Sequence, residues 1–209
     1  MKLYTTSGNP TGRKVEAVLK HLNLGYSVEV LSFQDGDTRT DAYKKINPNG
    51  LIPALVDGDK VIWDSNAINM YLCTEKVENT SLFPKEHASE ITQWMFWEAS
   101  QYNASMRTMI FELMVKPAFN LGETSEEIVE LGKTNAERWA SVLNEHLEGR
   151  SFMVGDDWTL ADYCVGYIEP MIERLPVDLT PFPNVVSFYD RFRENEYWKA
   201  TVLNKPKAA

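Results

Sequence analysis

Cysteine is scarce in this chain. Its 209 residues contain two, Cys73 and Cys164, far apart, with no Cys-x-x-Cys pair and no Cys/His cluster. That argues against a disulfide framework, a dithiol redox centre and a zinc site. Basic residues are also in deficit, with 21 Lys and Arg against 30 Asp and Glu and a net charge of −9. An acidic surface repels phosphate backbones, so nucleic acid is not an expected partner. A small basic pocket for an anionic ligand stays compatible with that balance. No apolar run approaches the roughly 18 residues of a membrane span. The opening Met1-Lys2-Leu3-Tyr4-Thr5-Thr6 lacks the apolar core of a signal peptide. No membrane partner and a cytoplasmic, reducing compartment are therefore expected. Internal repeats and low-complexity tracts are missing as well.

The remainder is ordinary globular material. Hydrophobic residues make up 44% and charged residues 24%, which excludes a disordered, collagenous or coiled-coil chain. Six Trp, nine Tyr and nine Phe can fill a sizeable core without staples. The length suits one large or two small domains.

The first part alternates strand and helix signals. Lys2-Leu3-Tyr4-Thr5 reads as a strand, broken by Ser7-Gly8-Asn9-Pro10. Val15, Val18, Leu19 and Leu22 then recur at helical spacing, with Asn9 suited to the N-cap and Pro10 to the first turn. Tyr26 to Val30 alternates as a second strand, and strand–helix–strand implies a parallel crossover. A polar loop from Phe33 to Asp41 leads to a short helix over 42–46 and the turn signal Asn47-Pro48-Asn49-Gly50. Ala54-Leu55-Val56 and Val61-Ile62-Trp63 flank Asp57-Gly58-Asp59-Lys60, an antiparallel hairpin signature. Asp64-Ser65 opens a further helix, with Ala67, Ile68, Tyr71 and Leu72 on one face. The order is β-α-β-α-β-β-α.

Beyond a linker around Ser81-Leu82-Phe83-Pro84 only helical periodicity remains. The spacing predicts a long helix from Ile91 to Leu113, broken near Pro117, and others over 128–143, 160–171 and 185–192. The expected organisation is an α/β domain over residues 1–76, a linker over 77–86 and an all-helical domain over 87–209. The Lys205-Pro206-Lys207 end is expected to fray.

Three places could carry chemistry. Pro53 enters a strand just after Gly50, and Ile52–Pro53 is either an ordinary trans bond at a strand start or a cis bond presenting the Ile52 backbone to an extended peptide. Asp64-Ser65 is either a plain helix cap or a site for an amino-acid head group, Ser65 taking a carboxylate and Asp64 an ammonium. Asn9-Pro10-Thr11 caps the first helix, whose free N–H groups would also stabilise an anion such as a thiolate. The topology puts all three at one edge of the sheet.

Together with Asn47-Pro48-Asn49-Gly50-Leu51-Ile52-Pro53-Ala54-Leu55 and Asp64-Ser65-Asn66-Ala67-Ile68, these features resemble the thioredoxin-like half of a cytosolic glutathione S-transferase, of the bacterial type. Phe152-Met153-Val154-Gly155-Asp156-Asp157-Trp158-Thr159-Leu160-Ala161-Asp162 resembles the family's helical-domain signature, with Thr159 and Asp162 forming a capping box. The resemblance covers essentially the whole chain. It implies a cis Pro53, Ile52 pairing with the cysteinyl part of glutathione, Asp64 and Ser65 holding the γ-glutamyl group, and Asp162 as a structural residue. It implies that the first-helix turn holds the thiolate, through Asn9 or the hydroxyl of Ser7, with Thr11 beside them. The turn differs from many relatives in carrying Asn9 before the proline and Thr11 after it. Leu51 stands where many relatives have a polar or basic residue toward the glycine end of glutathione.

Trp97, Gln101, Tyr102 and Met106 are candidates to line an apolar co-substrate pocket, whereas Trp94 and Met95 read as core. His21, His87 and His146 read as surface or capping residues, and Cys164 as core. The implied protein is a homodimeric glutathione transferase in detoxification, attacking a small hydrophobic electrophile. Glutathione would be a co-substrate, with no metal and no cofactor. Glutathione-dependent disulfide or peroxide reduction, or a non-catalytic binding or regulatory relative, are the alternatives.

Overall fold

The computed structural model describes residues 1–201, so the Lys205-Pro206-Lys207 end lies outside the described residues. Strand β1 (Lys2–Thr5) pairs in parallel with β2 (Ser27–Val30) and antiparallel with β3 (Ala54–Asp57). Strand β4 (Lys60–Trp63) completes a four-stranded sheet of order β2-β1-β3-β4. Alternation puts Leu3 and Leu55 in the core, both without exposed surface. Asp57-Gly58-Asp59-Lys60 makes the tight β3–β4 connection, with Gly58 at φ 58°.

Helix α1 (Pro10–His21) joins β1 to β2 and buries Val15, Val18 and Leu19. A 3-10 turn over Asp37–Arg39 and helix α2 (Asp41–Lys44) lead into the loop before β3. Helix α3 (Ser65–Tyr71) follows β4 and runs on through a π turn, Leu72–Lys76. Its inward face is Ile68, Asn69, Leu72 and Cys73, while Ala67 is exposed. The face is therefore rotated from the one the apolar pattern suggests, because it admits a buried asparagine.

From α4 (Ala88–Trp97) onward every described element is helical. A π turn (Glu98–Tyr102) carries α4 into α5 (Asn103–Ile110), and a second (Phe111–Val115) leads to α6 (Lys116–Phe119). The expected break at Pro117 does not occur: the run continues through α6, where the Glu112 carbonyl accepts Thr124 Oγ1 at 2.9 Å, and ends at Asn120 with φ 52°. Helix α7 (Glu126–His146) packs against α5, and α8 (Leu160–Gly166), α9 (Glu169–Ile172) and α10 (Pro183–Glu194) complete this part.

The described residues divide into two compact units, one of residues 86–193 and one of residues 1–85 together with 194–201. The sequence reading assigned everything after residue 86 to the helical domain. The structure instead returns α11 (Glu196–Lys199) to α1. Trp198, 2% exposed, lies under the Arg13 guanidinium, 3.9 Å from the ring centre, and Tyr197 stacks on His21 at 4.2 Å. Arg13 Nε also donates to Thr201 Oγ1 at 2.9 Å. An aromatic pair and a cation–π contact anchor the segment, and neither leaves a periodic signature in sequence.

Within the helical unit, α8 is buried along its whole length. Asp162 closes the predicted capping box: its Oδ2 accepts Thr159 N at 2.9 Å and Thr159 Oγ1 at 2.8 Å. Its Oδ1 accepts Met153 N at 2.8 Å, which fixes the preceding loop. His146, expected at the surface or in a cap, is half-buried at the end of α7. Its Nε2 lies 2.6 Å from Met153 O and its ring 4.2 Å from Trp94, and burial holds its pKa below the usual histidine value.

Candidate functional site

The sheet register gathers the three candidate segments. Tyr4 stands opposite Ala54 and Ala54 opposite Trp63, so the end of β1, the start of β3 and the end of β4 share one edge. The Ser7–Asn9 turn, Ile52–Pro53 and Asp64–Ser65 each lie just beyond that edge, all within the α/β unit.

At the first, Asn9 caps α1 from extended backbone, with φ −69° and ψ 125°. Its Oδ1 accepts Thr11 N at 3.0 Å, Gly12 N at 3.2 Å and Thr11 Oγ1 at 2.5 Å. These bonds consume the acceptor of the side chain and leave its amide Nδ2 as the group able to donate outward. Thr11, by contrast, directs its hydroxyl proton into the cap. Ser7 is exposed and Gly8 follows it at φ 68°. Close approach of α1 to β1 requires a glycine at position 12, since a Cβ there would sit 1.9 Å from Thr5 Oγ1.

At the second, the Ile52–Pro53 bond is cis, as the resemblance implied. The loop before it is held by polar side chains. Leu51 O accepts Tyr43 Oη at 2.7 Å and Asn47 Nδ2 at 2.8 Å, and Asn47 Oδ1 accepts Asn49 N at 3.1 Å. Asn47 is 2% exposed, and burial pushes the Tyr43 phenol up to about 12, so it remains a donor. Gly50 turns the chain at φ 63°, where a Cβ would meet Thr38 O at 3.1 Å. Pro53 is buried, Ile52 half-buried, and the Leu51 side chain 53% exposed.

At the third, Asp64 has φ 75° and ψ 126°, a conformation that non-glycine residues rarely adopt. Such strain costs about 1–3 kcal/mol and collects at binding sites. Its Oδ1 accepts Asn66 N at 2.8 Å and Ala67 N at 3.3 Å, and its carbonyl accepts Ile68 N at 2.9 Å. Of the four N–H groups that open α3, the remaining one is that of Ser65, which is 8% exposed. Asp64 is exposed, so its carboxylate serves the cap and faces solvent at once.

Lys14, which the sequence reading passed over, joins two of these segments. It is 2% exposed, and its Nζ donates to Asn66 Oδ1 at 2.5 Å, tying the second turn of α1 to the first turn of α3. A signal was available: residue 14 lies four before Val18, on the apolar stripe of α1, where a lysine needs a partner.

The four candidate pocket residues lie in the helical unit and part company. Trp97 and Gln101 are half-buried and keep accessible surface. Tyr102 and Met106 have none. Tyr102 stacks on Trp97 at 5.7 Å and accepts the Tyr189 hydroxyl at 3.1 Å, and burial pushes its phenol up to about 12. Both residues occupy the core of the unit, like Trp94 and Met95, on the same apolar stripe as Met109. Among the described residues no group of three or more His, Cys, Asp or Glu is placed to hold a metal ion, and no helix is long and apolar enough to cross a membrane.

Two family models match the chain: "Glutathione S-transferase, N-terminal domain" over residues 10–75 and "Glutathione S-transferase, C-terminal domain" over residues 102–196. Glutathione S-transferase 3 of Zea mays is 32% identical over 167 residues, covering 78% of this chain and 73% of that protein. Glutathione S-transferase D6 of Drosophila melanogaster is 31% identical over 194 residues, covering 90% and 85%. Among solved structures, glutathione transferase URE2P6 from Phanerochaete chrysosporium, in complex with oxidized glutathione, superposes with a TM-score of 0.85 at 27% identity, covering 96% of this chain and 93% of that one.

Proposed function

The chain belongs to the glutathione S-transferase family, and on that premise we propose that glutathione binds along the sheet edge and is activated there for attack on an apolar electrophile. The protein is a glutathione transferase by that membership. In the proposed arrangement the γ-glutamyl carboxylate takes the Ser65 N–H and hydroxyl, and the γ-glutamyl ammonium faces Asp64. The cysteinyl backbone pairs with Ile52 beside Pro53, and Leu51 offers the glycine end only apolar contact. The sulfur then lies at the start of α1.

Activation follows from the chemistry of that turn. The helix start carries partial positive charge, and Asn9 Nδ2 donates to the sulfur, so the thiolate forms at lower pH than in water. Neither Asn9 nor Thr11 can act as a base at neutral pH, so the thiol proton leaves to solvent. The thiolate forms a C–S bond to the electrophilic carbon, and the leaving group departs with its electron pair. Holding both reactants supplies proximity, and no covalent protein intermediate is needed. Trp97, with its aromatic ring, and Gln101, with its amide, are the proposed contacts for the co-substrate. A homodimer, a cytoplasmic location and a role in detoxification belong to the same proposal.

The observation that carries the reading is the shared register line Tyr4–Ala54–Trp63, which sets an amide donor, a strand entrance and an amino-acid-type junction side by side. The test is titration of the protein with glutathione, followed by conjugation of an activated aryl halide. Saturable binding with thioether formation is expected. Binding without turnover would favour the non-catalytic alternative. Turnover confined to disulfides or peroxides would favour the reductase.

A further inference from the structure

The charge balance at Asp64–Ser65 poses a problem that the rest of the site does not solve. A γ-glutamyl head group brings one carboxylate and one ammonium to a junction that already carries the Asp64 carboxylate. Asp64 and the ligand carboxylate would repel each other there unless a cation stands close by. Surface cations are screened, whereas one removed from water acts at lower effective dielectric.

Lys14 has the required properties. Its side chain is 2% exposed, and its Nζ rests on Asn66 Oδ1 at 2.5 Å. Asn66 is in turn held by its own N–H on Asp64 Oδ1 at 2.8 Å and adjoins Ser65 in sequence. The ammonium is therefore joined to the junction by two consecutive hydrogen bonds, Lys14 to Asn66 and Asn66 to Asp64. A brace on Asn66 Oδ1 requires only a donor, whereas the donor here also brings a positive charge, at the desolvation cost of a buried lysine.

We propose that Lys14 is a positioning residue for glutathione: its buried ammonium, acting through Asn66, offsets the Asp64 charge and sets the affinity for the γ-glutamyl carboxylate. The proposal rests on the glutathione reading above. It adds a specificity element that does not touch the reacting sulfur, so it affects binding rather than the chemical step.

The test pairs a variant with a ligand change. Lys14→Met keeps most of the side chain's apolar length and removes its charge together with the donor to Asn66, and Asn66→Ala removes the relay and keeps the charge. Each is titrated with glutathione and with the analogue lacking only the γ-glutamyl α-carboxylate. For Lys14→Met the glutathione Kd and KM should rise roughly tenfold, which is 1.4 kcal/mol, with kcat at saturation within about twofold of the parent. The same variant should bind the descarboxy analogue as the parent does. Asn66→Ala should fall between the two for glutathione.

Equal losses for both ligands, tracking a fall in thermal midpoint, would mean that Lys14 only braces the fold and would overturn the proposal. An unchanged glutathione Kd in a folded Lys14→Met protein would overturn it too. If the unsubstituted protein binds neither ligand, the glutathione reading itself has failed, a result separable from the other two.

Discussion

Replacing Asp162 with Ala should cost stability in a way that depends on pH. Asp162 has no exposed surface and accepts three hydrogen bonds, from Met153 N, Thr159 N and Thr159 Oγ1. The variant leaves two backbone amides, on residues at most 4% exposed, without their acceptor. Each such amide costs about 1–3 kcal/mol, so the loss at pH 7 should be about 2–6 kcal/mol. For a chain of this size that lowers the thermal midpoint by roughly 4–24 °C.

The pH signature follows from the carboxyl itself. Burial raises its pKa from 3.8 to about 6, against the pull of its donors. Between those values the folded state binds a proton that the unfolded state does not, so unfolding releases it. The residue's contribution is therefore fully present below about pH 4 and declines as pH rises through 6. From pH 7 down to pH 5 the parent protein should gain about 1 kcal/mol from this group alone, and Asp162→Ala should gain none of it. The gap between them should widen on acidification. Denaturant titrations of both proteins at pH 7, 6 and 5 read this directly. A loss below about 1 kcal/mol at pH 7, or a gap that narrows on acidification, would refute the account of Asp162.

Asn9→Ala should raise the apparent pKa of the glutathione thiol in the pH–rate profile and lower kcat, and Ser7→Ala should do less; the reverse order would assign thiolate contact to Ser7. Ser65→Ala should weaken glutathione binding by about 1–3 kcal/mol in titration calorimetry while the fold survives, and unchanged affinity would reduce the junction to a helix cap. Gly12→Ala should destabilise the protein by about 1–3 kcal/mol, because the new methyl group would meet Thr5 Oγ1 at 1.9 Å; an unchanged denaturation midpoint would show that α1 can move away from β1. Gly166→Ala should do the same in the helical unit, where the methyl group would come within 2.5 Å of the buried Phe192 ring, and a circular-dichroism melt checks it.

The local grammar of this protein is legible in its residues. Alternation in Leu3 and Leu55, the Asp57-Gly58 turn and the i, i+3, i+4 stripe of α1 each depend on neighbours within a few positions, so the order of strands and helices follows from the sequence. The Thr159–Asp162 capping box spans three residues and is equally readable. The candidate site was legible as three short motifs and as a resemblance, and the register of two antiparallel pairings, β1–β3 and β3–β4, aligned them on one edge. Other features depend on partners distant in sequence. Lys14 is buried because Asn66 lies 52 residues away to receive it. The α11 segment leaves the helical unit because Arg13 sits on Trp198 and bonds Thr201, 188 residues on. Tyr102 and Met106 are spaced with Met95 and Met109 as one apolar stripe, and the close packing of Tyr102 against Trp97 and Tyr189 made them core rather than pocket lining. Asn69 displaced the apolar face of α3 because burial there is set by what packs against the helix. Periodicity and turn chemistry fix a chain's elements; the pairing of side chains across elements is decided only when those elements close on one another.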